Sequence, residues 1–234
     1  MKKINREARK LKITYLGQAG LLLEKQGLTV MVDPYFSDSV GATNPQKHRR
    51  QPVDPRVWDI KPDVMIFTHN HLNHYDPETV QHFITKNTAL TVLCPDSVWS
   101  EVRKIGGDNN FVVFNRHTSW TEQGVCFTAV KAAHSDPDAI GIIVDDGQRK
   151  YYITGDTLYN EEIFADIPAD IFALFLPVNG AGNNMNMADA ARFAAKIDAE
   201  KTIPYHVGMF DALTAENFSC ENKIIPEIYK EIEL

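Results

Sequence analysis

Three histidines and one asparagine stand close together in one short stretch of the sequence, at His69, His71, Asn73 and His74. The stretch directly follows the apolar run at residues 64–67, which predicts a short buried strand. Residues two apart on extended backbone share a face, so His69 and His71 can present ring nitrogens to one point. Neutral imidazole is the commonest protein ligand for zinc-like ions. The spacing therefore predicts a metal site; a histidine-rich solvated loop is the weaker alternative, because such loops usually recruit Gly, Pro and Ser.

Acids and histidines also stand at the ends of other apolar segments, where they would project from strand ends. They are Asp33, His134, Asp156 and His206. Taken alone, each has an ordinary structural reading, and Asp33 could simply form a turn before its proline. Strand ends along one sheet edge converge in space, so the joint occurrence of these residues with the histidine stretch predicts a single metal site.

The elements that would carry these residues form two similar halves. The first half predicts a β-meander at residues 11–33, strands at 64–67, 91–94 and 111–114, and helices at 77–86 and 96–105. The helix at 77–86 is expected to have Asp76 as its N-cap. The second half predicts strands at 124–130, 139–144, 150–154, 171–176 and 202–206, with a helix at 187–197. A final helix is expected to cover a sheet edge with Ile224, Ile225, Ile228 and Ile232. The repeated order indicates an α/β protein with a duplicated four-layer plan.

The composition limits the partners of the chain. With 234 residues, 44% of them hydrophobic, the sequence can form one sizeable core, so residues 1–234 are expected to be a single domain. A net charge of -7 argues against a nucleic-acid partner or a membrane surface. No apolar stretch approaches the ~20 residues of a membrane span. Three cysteines without paired spacing indicate reduced thiols and a cytoplasmic location. A homo-oligomer is left open.

Two loops are predicted to approach the site. The long irregular segment at residues 38–59 holds a basic patch in an acidic chain, at residues 47–50, and long loops in compact domains tend to bind ligands. The Asn- and Gly-rich segment at residues 178–184 is either a flap over the site or a plain turn-rich connection. The predicted substrate-binding residues from these loops are His48, Arg49, Arg50 and Asn179.

Five stretches in order along the chain carry a resemblance to a known family: residues 15–20, 33–38, 68–76, 155–157 and 203–210. They resemble the metallo-β-lactamase superfamily of metallohydrolases, and within it the chain is similar to the group that contains L-ascorbate-6-phosphate lactonase. The resemblance implies a four-layer αβ/βα sandwich and a metal-dependent hydrolase. The iron-dependent oxygen-reducing branch usually carries Glu where this chain has His71, so redox chemistry is not expected.

The resemblance also implies a set of ligands. It assigns one ion to His69, His71 and His134, and a second ion to Asn73, His74 and His206, with Asp156 bridging the two. Asp33 is expected to orient a ligand histidine, which makes it the second acid of the catalytic centre after Asp156. Asn73 departs from the family pattern, which has Asp there; a neutral amide is a poorer ligand, so the second ion is expected to bind weakly.

The chemistry expected of such a centre is hydrolysis. A bound divalent ion lowers the pKa of water from ~15.7 to about 7, and Asp156 could relay a proton to the leaving group. Histidine and carboxylate ligands suit zinc or manganese. The expected substrate is a small anionic ester or lactone, with a sugar-acid phosphate lactone favoured. The alternatives are a phosphodiesterase acting on a small phosphodiester, and a metal-binding protein that has lost activity.

Overall fold

Two six-stranded β-sheets, one from each half of the chain, form the centre of the fold. The structure is a computed structural model that describes residues 10–87 and 89–234. The first sheet has the order β1-β2-β3-β4-β5-β6, with strands at Lys12–Gly17, Gly20–Lys25, Leu28–Val32, Val64–Ile66, Thr91–Cys94 and Asn110–Val113. The second has the order β12-β11-β10-β9-β8-β7; in chain order β7 to β12 are Ser119–Glu122, Val125–Lys131, Ile140–Asp145, Lys150–Ile153, Ile171–Pro177 and Lys201–Tyr205.

Both sheets change from antiparallel to parallel pairing. In the first sheet β1, β2 and β3 form the predicted antiparallel meander, and β3 to β6 are parallel. In the second sheet β7 to β10 are antiparallel, while β10, β11 and β12 are parallel. Parallel neighbours end at the same edge of a sheet. The pairing of Val32 with Ile66 therefore brings the residues that follow β3 and β4 side by side.

Four α-helices accompany the sheets in the described residues: α1 at Ser39–Thr43, α2 at Pro77–Lys86, α3 at Asp96–Val102 and α4 at Met187–Ile197. Short 3-10 turns lie at Pro45–Lys47, Pro55–Asp59, Arg103–Ile105 and Glu161–Asp166. The helices α2 and α3 supply the crossovers from β4 to β5 and from β5 to β6, α1 lies between β3 and β4, and α4 joins β11 to β12. In the part of the chain that the structure describes, no helix has the length and apolar character needed to cross a membrane.

The buried apolar residues form three hydrophobic clusters. Residues from both sheets, such as Ile66, Phe127 and Phe175, share a central cluster. A second cluster joins the outer face of the first sheet to α2 and α3, and a third joins the outer face of the second sheet to α4. The layers are thus helix, sheet, sheet and helix, and the predicted four-layer αβ/βα sandwich is confirmed.

The predicted C-terminal helix is wrong. Within the described residues, 221–234 contain no helix, and the segment runs along the two outer strands instead. Its backbone pairs with β1, where Ile232 N donates to Ile13 O, and with β12, where Ile224 N donates to Thr202 O. Pro226 lacks the N–H that a helix would need there, and Tyr229 has a left-handed φ of 59°. The isoleucines still cover the sheet edges, as expected, because extended backbone also presents them to the core.

Two local predictions need smaller corrections. The strand β7 was not predicted, because Ser119–Glu122 alternates exposed and half-buried residues without an apolar face. Asp76 precedes α2 as predicted, but its side chain makes no capping bond to the described helix backbone. The carboxylate instead accepts hydrogen bonds from Ser37 and Thr79. Asp76 therefore ties the segment after β3 to α2, directly behind the histidine stretch.

Candidate metal centre

The potential ligands lie together where strands of both sheets end. His69 and His71 follow β4, and His134 follows β8. Asp156 follows β10 and His206 follows β12. The two halves of the chain therefore contribute ligands to one place, as the strand-end argument predicts. The sandwich positions them because β4, β10 and β12, which have parallel neighbours, end at this edge, and β8 runs in the same direction as β10 since both pair antiparallel with β9.

Three histidines form the first group of ligands. One nitrogen from each of His69, His71 and His134 lies within 4.8 Å of the others. Nε2 of His69 is buried and has no hydrogen-bond partner among the described residues, which is costly unless a ligand pairs with it. Burial lowers the pKa of His69 well below its usual value and that of His134 to about 4. Both rings are therefore neutral at pH 7, the form that binds a metal ion.

A second group of ligand atoms is packed more tightly. Nε2 of His74 lies 3.1 Å from Nε2 of His206, and Oδ1 of Asp156 lies 3.2 Å and 3.1 Å from these two nitrogens. Oδ1 makes no aligned hydrogen bond to any described residue. Ligands at 2.0–2.1 Å around a tetrahedral ion are about 3.3 Å apart, so the spacing fits a shared ion. Nδ2 of Asn73 lies 3.1 Å from Nε2 of His206, and rotation of the amide would turn its oxygen towards that ion.

The protonation of His74 differs from that of the first group. Burial disfavours its charged form, but the carboxylates of Asp156 and Asp33 outweigh burial and raise its pKa to about 10. Burial would also raise the pKa of Asp156, yet His206 and His74 hold it well below the usual range. An ion binding here must therefore displace a proton from His74, whereas the three-histidine group needs no such step at pH 7.

Asp33 fixes the orientation of ligands in both groups. Its carboxylate is 1% exposed and accepts hydrogen bonds from Nδ1 of His74 at 2.8 Å and from the Thr68 hydroxyl at 2.5 Å. Because the hydroxyl proton points to Asp33, Oγ1 of Thr68 accepts from Nδ1–H of His69 at 3.0 Å. Each ring thereby directs Nε2 towards the position of a metal ion. The structure gives Asp33 the orienting position expected from the sequence, while its link to His69 through Thr68 was not foreseen.

We expect Thr68→Val to weaken binding of the ion at the three-histidine group by about 10- to 100-fold, because the variant keeps the shape but loses the hydroxyl that orients His69. Zinc affinity measured by competition with a chromophoric chelator tests this. Thr79→Val is the matched control, since Thr79 is also buried and its hydroxyl bonds Asp76 and Phe36 away from the ligands. Wild-type zinc affinity in Thr68→Val would contradict the role of the hydroxyl.

Sequence reasoning missed two further polar residues at the centre. Gln18 is buried, with Nε2 at 3.1 Å and 3.3 Å from the two ring nitrogens of His206. Nδ2 of Asn184 donates to Oδ2 of Asp156 at 2.8 Å. Their amides bring no charge or motif spacing, so only tertiary contact reveals them. Left-handed backbone also marks the centre, with φ of 54° at Gln18, 43° at Asp33 and 66° at His206.

A cavity of about 260 Å³ opens onto the ligands. Its lining includes Asn179, as predicted for substrate binding, and Lys47 from the basic patch. The rest of the lining is composed of metal-centre residues, further amides and a few apolar side chains: Gln18, Val40, His71, Asn73, His134, Asp156, Ala181, Gly182, Asn183, Asn184, His206, Gly208, Met209, Phe210 and Asp211.

The structure does not bring His48, Arg49 or Arg50 into this lining, as far as the described residues show. His48 pairs with Asp38 at 2.7 Å. The Arg49 guanidinium donates to the carbonyl oxygens of Tyr35 and Gln51 and to the Tyr229 hydroxyl. The backbone N–H of Arg50 donates to Met209 O. The bond from Arg50 ties the loop to the segment after His206, and Lys47 is the basic side chain of the patch that faces the cavity.

Comparison with known proteins agrees with this fold and centre. The family model described as the β-lactamase superfamily domain matches residues 29–207. A UPF0173 metal-dependent hydrolase of Carboxydothermus hydrogenoformans is 27% identical over 88% of both chains. A metallo hydrolase of Ignicoccus hospitalis has a TM-score of 0.74 at 18% identity, covering 94% of this chain and 97% of that one. An isothiocyanate hydrolase from Delia radicum gut bacteria has a TM-score of 0.72 at 18% identity, over 95% and 99%.

A four-layer αβ/βα sandwich with histidine and aspartate ligands at its shared strand edge defines a metallo-β-lactamase-type protein. The match spans most of the chain, including every candidate ligand from Asp33 to His206. The chain belongs to the metallo-β-lactamase superfamily of metal-dependent hydrolases.

Proposed function

We propose that this protein uses one or two divalent ions, zinc or manganese, to hydrolyse a small polar ester or lactone. The observation that carries the proposal is the convergence of two ligand groups beside an open cavity, one around the buried, unpaired Nε2 of His69 and the other around Oδ1 of Asp156, which lies within 3.2 Å of two histidine nitrogens. His69, His71 and His134 would hold one ion. His74, His206, Asp156 and the Asn73 amide would hold the second.

The bound ions would supply Lewis acidity, lowering the pKa of coordinated water to about 7 and polarising the oxygen of the scissile bond. Asp156 faces the cavity and is ionised at neutral pH, so its carboxylate can accept a proton and pass it to the leaving group. Asn184 holds Oδ2 of this carboxylate in place. Asp33 does not reach the described cavity lining, so it acts by orienting His74 and His69.

The cavity supports a small polar substrate. A volume of about 260 Å³ is of the size that holds a small metabolite. Three carboxamides, Asn179, Asn183 and Asn184, line one wall, and amides pair with hydroxyl and carbonyl groups. Lys47 adds one cation to the lining. The Asp211 carboxylate of the lining offsets the charge of Lys47, but the bound ions would add positive charge, so the combination favours a hydroxylated substrate with one anionic group and supports the sugar-acid phosphate lactone proposed from the sequence.

Two other activities compete with this proposal. A small phosphodiester would use the same ions, and Lys47 would serve its phosphate equally well. A metal-binding protein without activity would keep the ligands and lose turnover because Asn73 weakens the second ion. The amide wall favours a hydroxylated substrate such as a lactone over a bare ion, which has no use for three neutral hydrogen-bonding groups.

A substrate panel tests the proposal with protein reconstituted in zinc or manganese. The panel contains a hydroxylated sugar lactone, its phosphorylated form, a chromogenic phosphodiester and an isothiocyanate, the last because a solved structure of the same fold bears that activity in its name. We expect metal-dependent turnover of the lactones and its loss on chelation. Turnover of the phosphodiester alone would favour the first alternative. Metal binding without turnover of any substrate would favour the second.

We expect Lys47→Ala to raise KM for the phosphorylated lactone by about 10- to 100-fold, since a charged hydrogen bond contributes about 1.5–3 kcal/mol, and to leave the neutral lactone unchanged. Arg50→Ala is the matched control, because it removes an exposed cation of the same loop from outside the cavity. Steady-state measurements of KM for both substrates test this prediction. If Arg50→Ala raises KM and Lys47→Ala does not, the original assignment from the sequence is the right one.

A further inference from the structure

Asp136 lies behind the three-histidine group and has no assigned role. Its side chain is 5% exposed, although it is a carboxylate. Oδ2 accepts hydrogen bonds from the backbone N–H of Asn70 at 3.0 Å and from the Ser97 hydroxyl at 2.7 Å. Oδ1 accepts from the backbone N–H of Asp138 at 3.0 Å. A buried acid with three donors is fixed in place, and so are the groups that donate to it.

The partners of Asp136 come from both halves of the chain. Asn70 separates His69 from His71 in the loop after β4, and Ser97 lies in the first turn of α3. Asp136 itself follows His134, and its backbone N–H lies 3.2 Å from Nδ1 of that ring. The side chain therefore connects the loop that carries two ligands of the first ion directly to the loop that carries the third.

The charge of Asp136 acts on the same ligands. Burial lowers the pKa of His71 and of His134, and the Asp136 carboxylate acts in the opposite direction on both rings. A negative charge at this position also offsets part of the positive charge of a bound ion. Such partners behind the ligands usually matter for affinity almost as much as the ligands do.

We propose that Asp136 is a positioning residue for the first metal ion: it holds the His69 and His71 loop in register with the His134 loop across the two halves of the fold. The Ser97 hydroxyl extends this connection to α3. Asp136 does not belong to the described cavity lining, so it acts through the histidines and not on the substrate.

The test compares Asp136→Asn with the matched control Asp146→Asn in the full-length chain. Asp146 is 4% exposed, accepts backbone N–H groups of Gln148 and Arg149, and pairs with Lys25 in the turn between β9 and β10, at the end opposite Asp156. After metal removal, each protein is titrated with zinc and with cobalt, whose visible absorption reports ligand geometry. We expect Asp136→Asn to lose about 10- to 100-fold in affinity for the first ion and to change the cobalt spectrum. The control should keep its affinity for the first ion and its cobalt spectrum, while its thermal stability falls by as much as that of Asp136→Asn.

Wild-type zinc affinity and an unchanged cobalt spectrum in a folded Asp136→Asn protein would overturn the proposal. An equal loss of affinity in Asp146→Asn would overturn it too, because the effect would then be one of general stability. If Asp136→Asn does not fold, Ser97→Ala and Ser97→Thr replace it. Ser97→Ala should lower the affinity for the first ion, and Ser97→Thr, which keeps a hydroxyl, should have the wild-type affinity. Equal affinities for these two variants and the wild type would reject the role of Asp136.

Discussion

His69→Ala is expected to reduce metal-dependent hydrolysis by on the order of 10³-fold, since an ion contributes several kcal/mol to the reaction and each 1.36 kcal/mol changes the rate tenfold. Nε2 of His69 is buried and has no hydrogen-bond partner in the described structure, as expected of an atom that pairs with an ion. Elemental analysis should show the loss of one equivalent of metal in parallel with the loss of rate.

The control for this variant is His82→Ala. His82 lies on α2 and donates from its ring to Trp58 O, away from the ligands. We expect its metal content and turnover to stay at the wild-type level. Full activity and metal content in His69→Ala would show that the three-histidine group does not bind an ion needed for hydrolysis. A loss of metal and turnover in both variants would indicate misfolding.

Asn73→Asp is expected to strengthen binding of the second ion by about 10- to 100-fold, because ligand charge is a main determinant of divalent-ion affinity. Asn73 already lies within 3.1 Å of His206 Nε2, so the new carboxylate would need little movement to reach the ion. Isothermal titration of the metal-free protein should resolve a second binding event that is weak in the wild type.

Asn183→Asp separates direct ligation from a general effect of charge. Asn183 lines the same cavity but has no contact with His74 or His206 among the described hydrogen bonds. The same added charge at position 183 should therefore raise the affinity for the second ion much less than at position 73. Equal gains would mean that Asn73 acts only through the field of the cavity, and no gain at position 73 would mean that it does not point at the ion.

The strand-end ligands could be predicted because their positions follow from chain order. Strands that run in the same direction end at the same edge of their sheet, so the acids and histidines after β3 and β4, and those after β8, β10 and β12, are expected to lie close together. The role of the basic loop was harder to predict, because a guanidinium can donate its hydrogen bonds to nearby carbonyl oxygens instead of to a substrate, as Arg49 does. The spacing of the isoleucines in the C-terminal segment fits a helix and an extended segment at a sheet edge equally well, and only Pro226 argues against the helix.

The supporting residues could not be predicted for a different reason. Thr68 and Asp136 act through hydrogen bonds to neighbours that are distant in sequence, with Asp33 and Asn70 respectively. Neither residue type has a distinctive role by itself. Their importance depends on which oxygen faces which donor, and that is decided by the packing of the two halves.

The left-handed backbone at His206 restricts how this position could change. A φ of 66° costs an ordinary side chain about 1–2 kcal/mol relative to glycine, which adopts such angles freely. Glycine would relieve this strain but would also remove a ligand and its buried contacts with Gln18, His74 and Asp156. The strained backbone is therefore tied to the side chain that the centre needs, and a variant stabilised by relief of this strain would lose that ligand.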